Sequence, residues 1–163
     1  MAVALARGSW TVSEGIKTLW DSAGLDANFR TEWTVNTTDQ EPLHDGEVMG
    51  TPPGPYCVYE VGDPSPITHQ SGHGSDEEIQ TLRVPVRFRI HAKTTATETG
   101  KIIAIRLAKN IVDAFDPPAT LTITPDTHVE TIRDGDFHTR EDAKTWVWVI
   151  QYDFIIDAVY NSV

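Results

Sequence analysis

An α+β fold is predicted by three features of the chain. Residues 82–92, LRVPVRFRIHA, and residues 145–159, TWVWVIQYDFIIDAV, alternate with period two, as strands with one buried face do. Two other segments repeat apolar residues every three or four positions, as amphipathic helices do. In chain order the elements read helix, strand, strand, helix, strand, strand. The pattern implies a mainly antiparallel or mixed four-stranded sheet with two helices packed on one face.

The first helix is expected near residues 12–22. Thr11-Val-Ser-Glu14 has the spacing of a capping box, and Val12, Ile16, Leu19 and Trp20 form one stripe. Gly24 is a suitable stop. Phe29 and Trp33 in the following LDANFRTEW are suited to capping the core. Residues 34–54 are polar and broken by Pro42, Gly46, Gly50, Pro52, Pro53 and Gly54, which predicts a long loop. PYCVYEV, residues 55–61, reads as a strand with Cys57, Tyr59 and Val61 on one side. A second long loop is expected over residues 62–80.

The strand 81–92 puts Val84, Val86, Phe88 and Ile90 on one face and Arg83, Arg87, Arg89 and His91 on the other. Next comes a helix over about 97–115, with Thr95 and Glu98 as a second capping box and Ile103, Leu107, Ile111 and Phe115 along one face. Asp116-Pro117-Pro118 ends it. An extended segment runs from TLTITP, residues 120–125, to a turn at Asp134-Gly135-Asp136, with a polar loop at 137–143. The last strand divides Trp146, Trp148, Ile150, Tyr152, Phe154 and Ile156 from Val147, Val149, Gln151, Asp153, Ile155 and Asp157. Residues 1–163 are read as one domain, a size that suits a single core.

Composition narrows the function. The formal net charge is −11, and residues 1–78 carry −10 of it, three basic against thirteen acidic residues. A surface this acidic repels a phosphate backbone. The single cysteine, Cys57, allows no disulfide within the chain, which suits a reducing compartment, and its place on a strand points to a buried thiol. The apolar start MAVALARGSW lacks a cationic region and a long apolar run, so it does not read as a signal peptide. No segment has the ~18 apolar residues of a membrane span. The expectation is a soluble, cytosolic protein.

The cationic row on an acidic chain needs partners. Glu60, Asp153 and Asp157 stand at polar positions of candidate neighbouring strands and can form cross-strand pairs. The alternative is a subunit boundary, where arginine's planar fork meets carboxylates of another copy; Arg87, Arg89, Asp153 and Asp157 are the candidate interface residues. Nucleic-acid readout is disfavoured, because Phe88 lies on the apolar side and leaves no exposed stacking platform.

Chemistry is sparse. His69 and His73 have a ligand-like spacing within Asp63, Asp76, Glu77 and Glu78, and His44 and Asp45 lie in the other loop. The intervening Gln-Ser-Gly and the following Gly74 argue for a solvated loop instead. No nucleophile elbow or phosphate-cradling loop is present, so no catalytic residue, cofactor or metal is assigned. Two loops of about twenty residues are long for this size, and such loops tend to be functional. Ile67, His69, His73, Asp76, Glu77 and Glu78 are the candidate docking loop.

The order of elements resembles the tail-completion, or tail terminator, proteins of long-tailed bacteriophages. The resemblance is carried by TVSEGIKTLW, GPYCVYEVG, VPVRFRIHA, IIAIRLAKNIVDAF and WVWVIQYDFII, and spans nearly the whole chain. It implies a non-enzymatic virion protein, assembled in the host cytoplasm without membrane involvement. It also implies a homo-oligomeric ring, commonly of six subunits, at the head-proximal end of the tail. Such a ring stops growth of the tail tube and meets the head connector, and DNA passes its lumen without sequence-specific binding. A neck or head-completion protein is the alternative within the same class. A small metal-dependent hydrolase using His69 and His73 is the alternative from another.

Overall fold

The computed structural model describes residues 2–71 and 77–161. Among them are three helices and six strands: α1 (Ala2–Ser22), α2 (Leu25–Arg30), β1 (Leu43–Asp45), β2 (Tyr56–Val61), β3 (Ser65–Ser71), β4 (Glu77–Lys93), α3 (Gly100–Phe115), β5 (Thr127–Arg140) and β6 (Thr145–Asn161). The sheet runs β1-β2-β4-β6-β5, with β3 also paired to β4. Only β1 and β2 are parallel; every other pairing is antiparallel. The class is the expected α+β, with two more strands and one more helix than the sequence predicts.

Two strands of seventeen residues organise the sheet. β4 and β6 pair along their whole length, from Glu77 opposite Asn161 to Lys93 opposite Thr145. On β4's other side lie β2 and then β3, end to end. Val61 stands opposite Val86 and Ser65 opposite Arg83.

The expected loop 62–80 is therefore largely a β-hairpin arm. Its strands are polar, so nothing in them alternates against water. They are extended because β4 offers backbone groups, and β6 holds β4 from behind. Ile67 and His69 lie in β3, and Glu77 and Glu78 open β4. His73 and Asp76 fall outside the described residues. The expected loop 34–54 likewise contains β1, short and parallel to β2.

One face of the sheet carries the core. Leu82, Val84, Val86, Phe88 and Ile90 of β4 and Ile150, Tyr152, Phe154 and Ile156 of β6 are buried against Val12, Ile16 and Trp20 of α1 and Ile103, Leu107, Ile111 and Phe115 of α3. Phe88 packs between Phe115 at 5.0 Å and Tyr152 at 6.1 Å, centroid to centroid.

α1 begins ten residues before the predicted start. The Thr11–Glu14 spacing is not a cap but lies inside the helix. Gly8 lies inside the helix, where a Cβ would come within 2.9 Å of Leu82 Cδ1, so α1 sits close against this core side chain. For α3 the capping residue is Thr99, whose Oγ1 accepts from the Ile102 amide at 3.4 Å; Thr95 forms the preceding turn instead.

The expected turn at Asp134-Gly135-Asp136 is also corrected. β5 runs straight through it, with a register shift between Arg133 and Gly135. Gly135 has φ 149°, a conformation that favours glycine, and it absorbs the extra residue of a bulge. Residues 137–140, expected as loop, continue the strand, while residues 120–126 precede it.

A buried carboxylate joins distant parts of the chain. Asp126, with its side chain wholly buried, accepts at Oδ1 from Arg7 Nη2 (2.7 Å) and the Val159 amide (3.1 Å). Its Oδ2 accepts from Thr11 Oγ1 at 2.8 Å. It ties α1 to the C-terminal end of β6. Replacing Asp126 with alanine strands three donors, so the expected loss is ~3 kcal/mol, measurable by urea denaturation. At the other end of the fold a Cβ on Gly100 would stand 2.3 Å from the Ala92 carbonyl oxygen, which is backbone and cannot swing away. Gly100→Ala should therefore destabilise by ~1–3 kcal/mol in the same assay.

Candidate subunit interface on the outer sheet face

The helices lie on one face of the sheet, and the candidate interface residues lie on the other. Cross-strand rows on this outer face follow from the register. One row is Val58, Arg89, Val149 and Phe137; another is Glu60, Arg87, Gln151 and Gly135; a third is Pro85, Asp153 and Ile132. Val58, Val149 and Ile155 are buried although they face this way, so charged side chains stand over an apolar floor.

The cations divide into two kinds. Arg89 Nη2 reaches Glu60 Oε1 at 2.9 Å, one row diagonal from Glu60's own partner in register. Arg83 Nε lies 3.8 Å from Asp153 Oδ2. Asp157 accepts from Thr81 Oγ1 at 2.6 Å. Thus Glu60 and Asp153 do meet arginines within the fold, but Asp157 meets a threonine. Arg87 is exposed and has no ion pair to a described residue. It borders a cleft of about 330 Å³ with Glu60, Gly62, Asp134, Gln151 and Asp153. Burial raises the Asp153 carboxyl above its ordinary value; the neighbouring Asp134 adds to this, and Arg83 opposes it.

A larger cleft, about 610 Å³, opens at the other end of β4. Pro52, Pro53, Pro55, Tyr56, His91, Lys93, Ile103 and Glu141 are among its walls. The Tyr56 ring stacks on His91 at 4.7 Å, and His44 meets Tyr56 edge-on at 5.8 Å. His91 Nδ1 lies 3.2 Å from Glu141 Oε2. This cluster was not singled out by the sequence reading, since its members come from four separate segments.

The docking-loop residues are not brought to one point. Ile67 is half exposed on β3, and His69 stands opposite Gln80 in the register. Among the described residues no three His, Cys, Asp or Glu side chains converge as metal ligands. Cys57 is fully buried, and desolvation pushes its thiol far above the ordinary range. No described helix is long and apolar enough to cross a membrane.

No protein-family model matches the chain, and no curated protein matches it. The fold is shared with a chain of the virion of a native gene transfer agent (GTA) particle. The TM-score is 0.52 at 14% identity, over 72% of this chain and 79% of that one. A second solved structure covers 87% of this chain and 94% of its own at 14% identity, but its TM-score of 0.42 carries no argument.

The histidines set a pH dependence. Burial lowers His44, His91 and His128 below the ordinary imidazole value of 6.5; for His91 the Glu141 carboxylate opposes this and Arg89 adds to it. As pH falls, the unfolded chain takes up these protons first. The stability that goes with neutral burial is thus full above about pH 6.5 and lost below it. The melting temperature should fall between about pH 7.5 and 5.5, and His91→Gln should flatten part of that slope. An unchanged slope in the variant would assign the effect to His44 and His128.

Proposed function

We propose that this chain is a structural virion subunit, a tail terminator whose copies close into a ring, commonly six, over the end of the tail tube. The carrying observation is Arg87, an exposed guanidinium on an open sheet face with an apolar floor and no carboxylate bound to it within the described fold. A charged group so placed is suited to a carboxylate of a neighbouring copy. Arginine's planar fork and weak hydration favour it at such contacts. The acidic first half of the chain supplies the complementary charge. The likeness to a virion chain supports the fold on which this reading rests.

In this reading the hairpin of β3 and β4 reaches beyond the core toward the tail tube or the head connector. DNA passes a lumen whose acidic lining does not hold phosphate.

The test combines sedimentation with negative-stain microscopy of protein mixed with tail tubes. Rings, or capped tubes, are expected for the unaltered chain, weakening at high salt as screened charge pairs do. Arg87→Glu should abolish rings while circular dichroism stays unchanged. Arg89→Glu should also lower the melting temperature, because it sets two carboxylates side by side at Glu60. A chain that remains monomeric at every concentration and caps no tube refutes the reading.

A further inference from the structure

We propose that the free edge of β5 pairs with β5 of a second copy, antiparallel through Asp136–Arg140, about a two-fold axis at His138. β6 occupies one side of β5 only. Along the other side, backbone N–H and C=O groups have no partner among the described residues. Edge strands are ordinarily protected by short length, by proline, by bulges or by charged side chains, lysine above all, whereas charges of opposite sign on one edge can pair with those of a second copy. β5 has neither proline nor lysine, and its two register shifts, at His128/Glu130 and Arg133/Gly135, both lie before this stretch. Asp136 to Arg140 is therefore a regular, open edge.

Its side chains are self-complementary. In an antiparallel pair centred on His138, Asp136 of each copy stands opposite Arg140 of the other. The pairing occurs twice, and directly opposed unlike charges favour a register as like charges disfavour it. Neither Asp136 nor Arg140 forms an ion pair with a described residue. Both are held on the same face by tryptophans of β6: Trp148 Nε1 donates to Asp136 Oδ2 at 3.1 Å, and the Arg140 guanidinium lies 4.9 Å from the Trp146 ring centroid. His138 stacks beside Trp148 at 5.6 Å between them. Phe137, 49% exposed on the opposite face, meets Thr139 of the second copy. Shifting the centre to Phe137 would set Asp134 against Arg140 but would run the pairing into the bulge.

The contact is isologous and closes at two copies. It lies on the sheet edge, apart from the ring contact proposed for Arg87, and it goes beyond that reading.

Cysteine trapping tests it directly. His138→Cys places two thiols across the axis, where paired strands bring Cα atoms to roughly 4.5–5.5 Å, within disulfide reach. Mild oxidation should give a disulfide-linked dimer. Thr139→Cys faces Phe137 of the other copy and should stay unlinked, and buried Cys57 does not compete. In sedimentation, Asp136→Arg should weaken dimerisation at least tenfold, and Asp136→Arg with Arg140→Asp should restore it. Equal linking of both cysteine variants, linking of neither, or a dimer indifferent to Asp136→Arg overturns the proposal. Arg87→Glu should leave this dimer intact, so loss of the ring and loss of the β5 pair are distinguishable.

Discussion

The register between β4 and β6 is the constraint on which the molecule depends. Seventeen residues of each strand are paired, and both alternate in phase, so Phe88 and Ile150 face the helices together while Arg89 and Val149 face away together. A slip by one residue would turn every core side chain of one strand outward. Because this register is so strongly specified, β4 can extend past the core and template β3, a strand too polar to hold itself. β6 templates β5 in the same way. Outlying polar strands thus follow from a central pair that is decided by apolar burial.

Local exceptions to regular structure all serve that central pair. Gly8 lets α1 lie close on Leu82 of β4 and Ile156 of β6, and Gly15 lets it lie close on Leu121 and Ile123. Gly135 lets β5 take an extra residue without leaving β6. Asp126 is the polar counterpart. Its carboxylate is buried, but three donors from α1 and β6 satisfy it, so the desolvation cost of a buried charge is offset by bonds that lock the helix to the far end of the sheet.

The outer face shows why an acidic protein carries arginines. Arg89 and Arg83 offset carboxylates that the sheet itself brings near, Glu60 and Asp153. Such half-exposed pairs contribute little to stability. Their effect is to hold charge in fixed positions over an apolar floor, and Arg87 stands among them without an ion pair to a described residue.

Much of this was legible in the sequence because alternation and helical spacing are local properties of the chain. The faces of β4 and β6, the stripe of α3, its stop at Asp116-Pro117 and the burial of Cys57 all follow from neighbours a few residues apart. What only the tertiary structure decided depends on partners remote in sequence. α1 reads as starting near residue 12 until the segment with Gly8 packs against Leu82, and β3 reads as loop until β4 pairs with it. Asp134-Gly135-Asp136 reads as a turn until β6 carries the strand through. Nor could alternation say which carboxylate meets which arginine. Glu60 takes Arg89 rather than its register partner Arg87, because the twisted sheet and the long side chains make the diagonal contact, and neither is encoded by spacing along one strand.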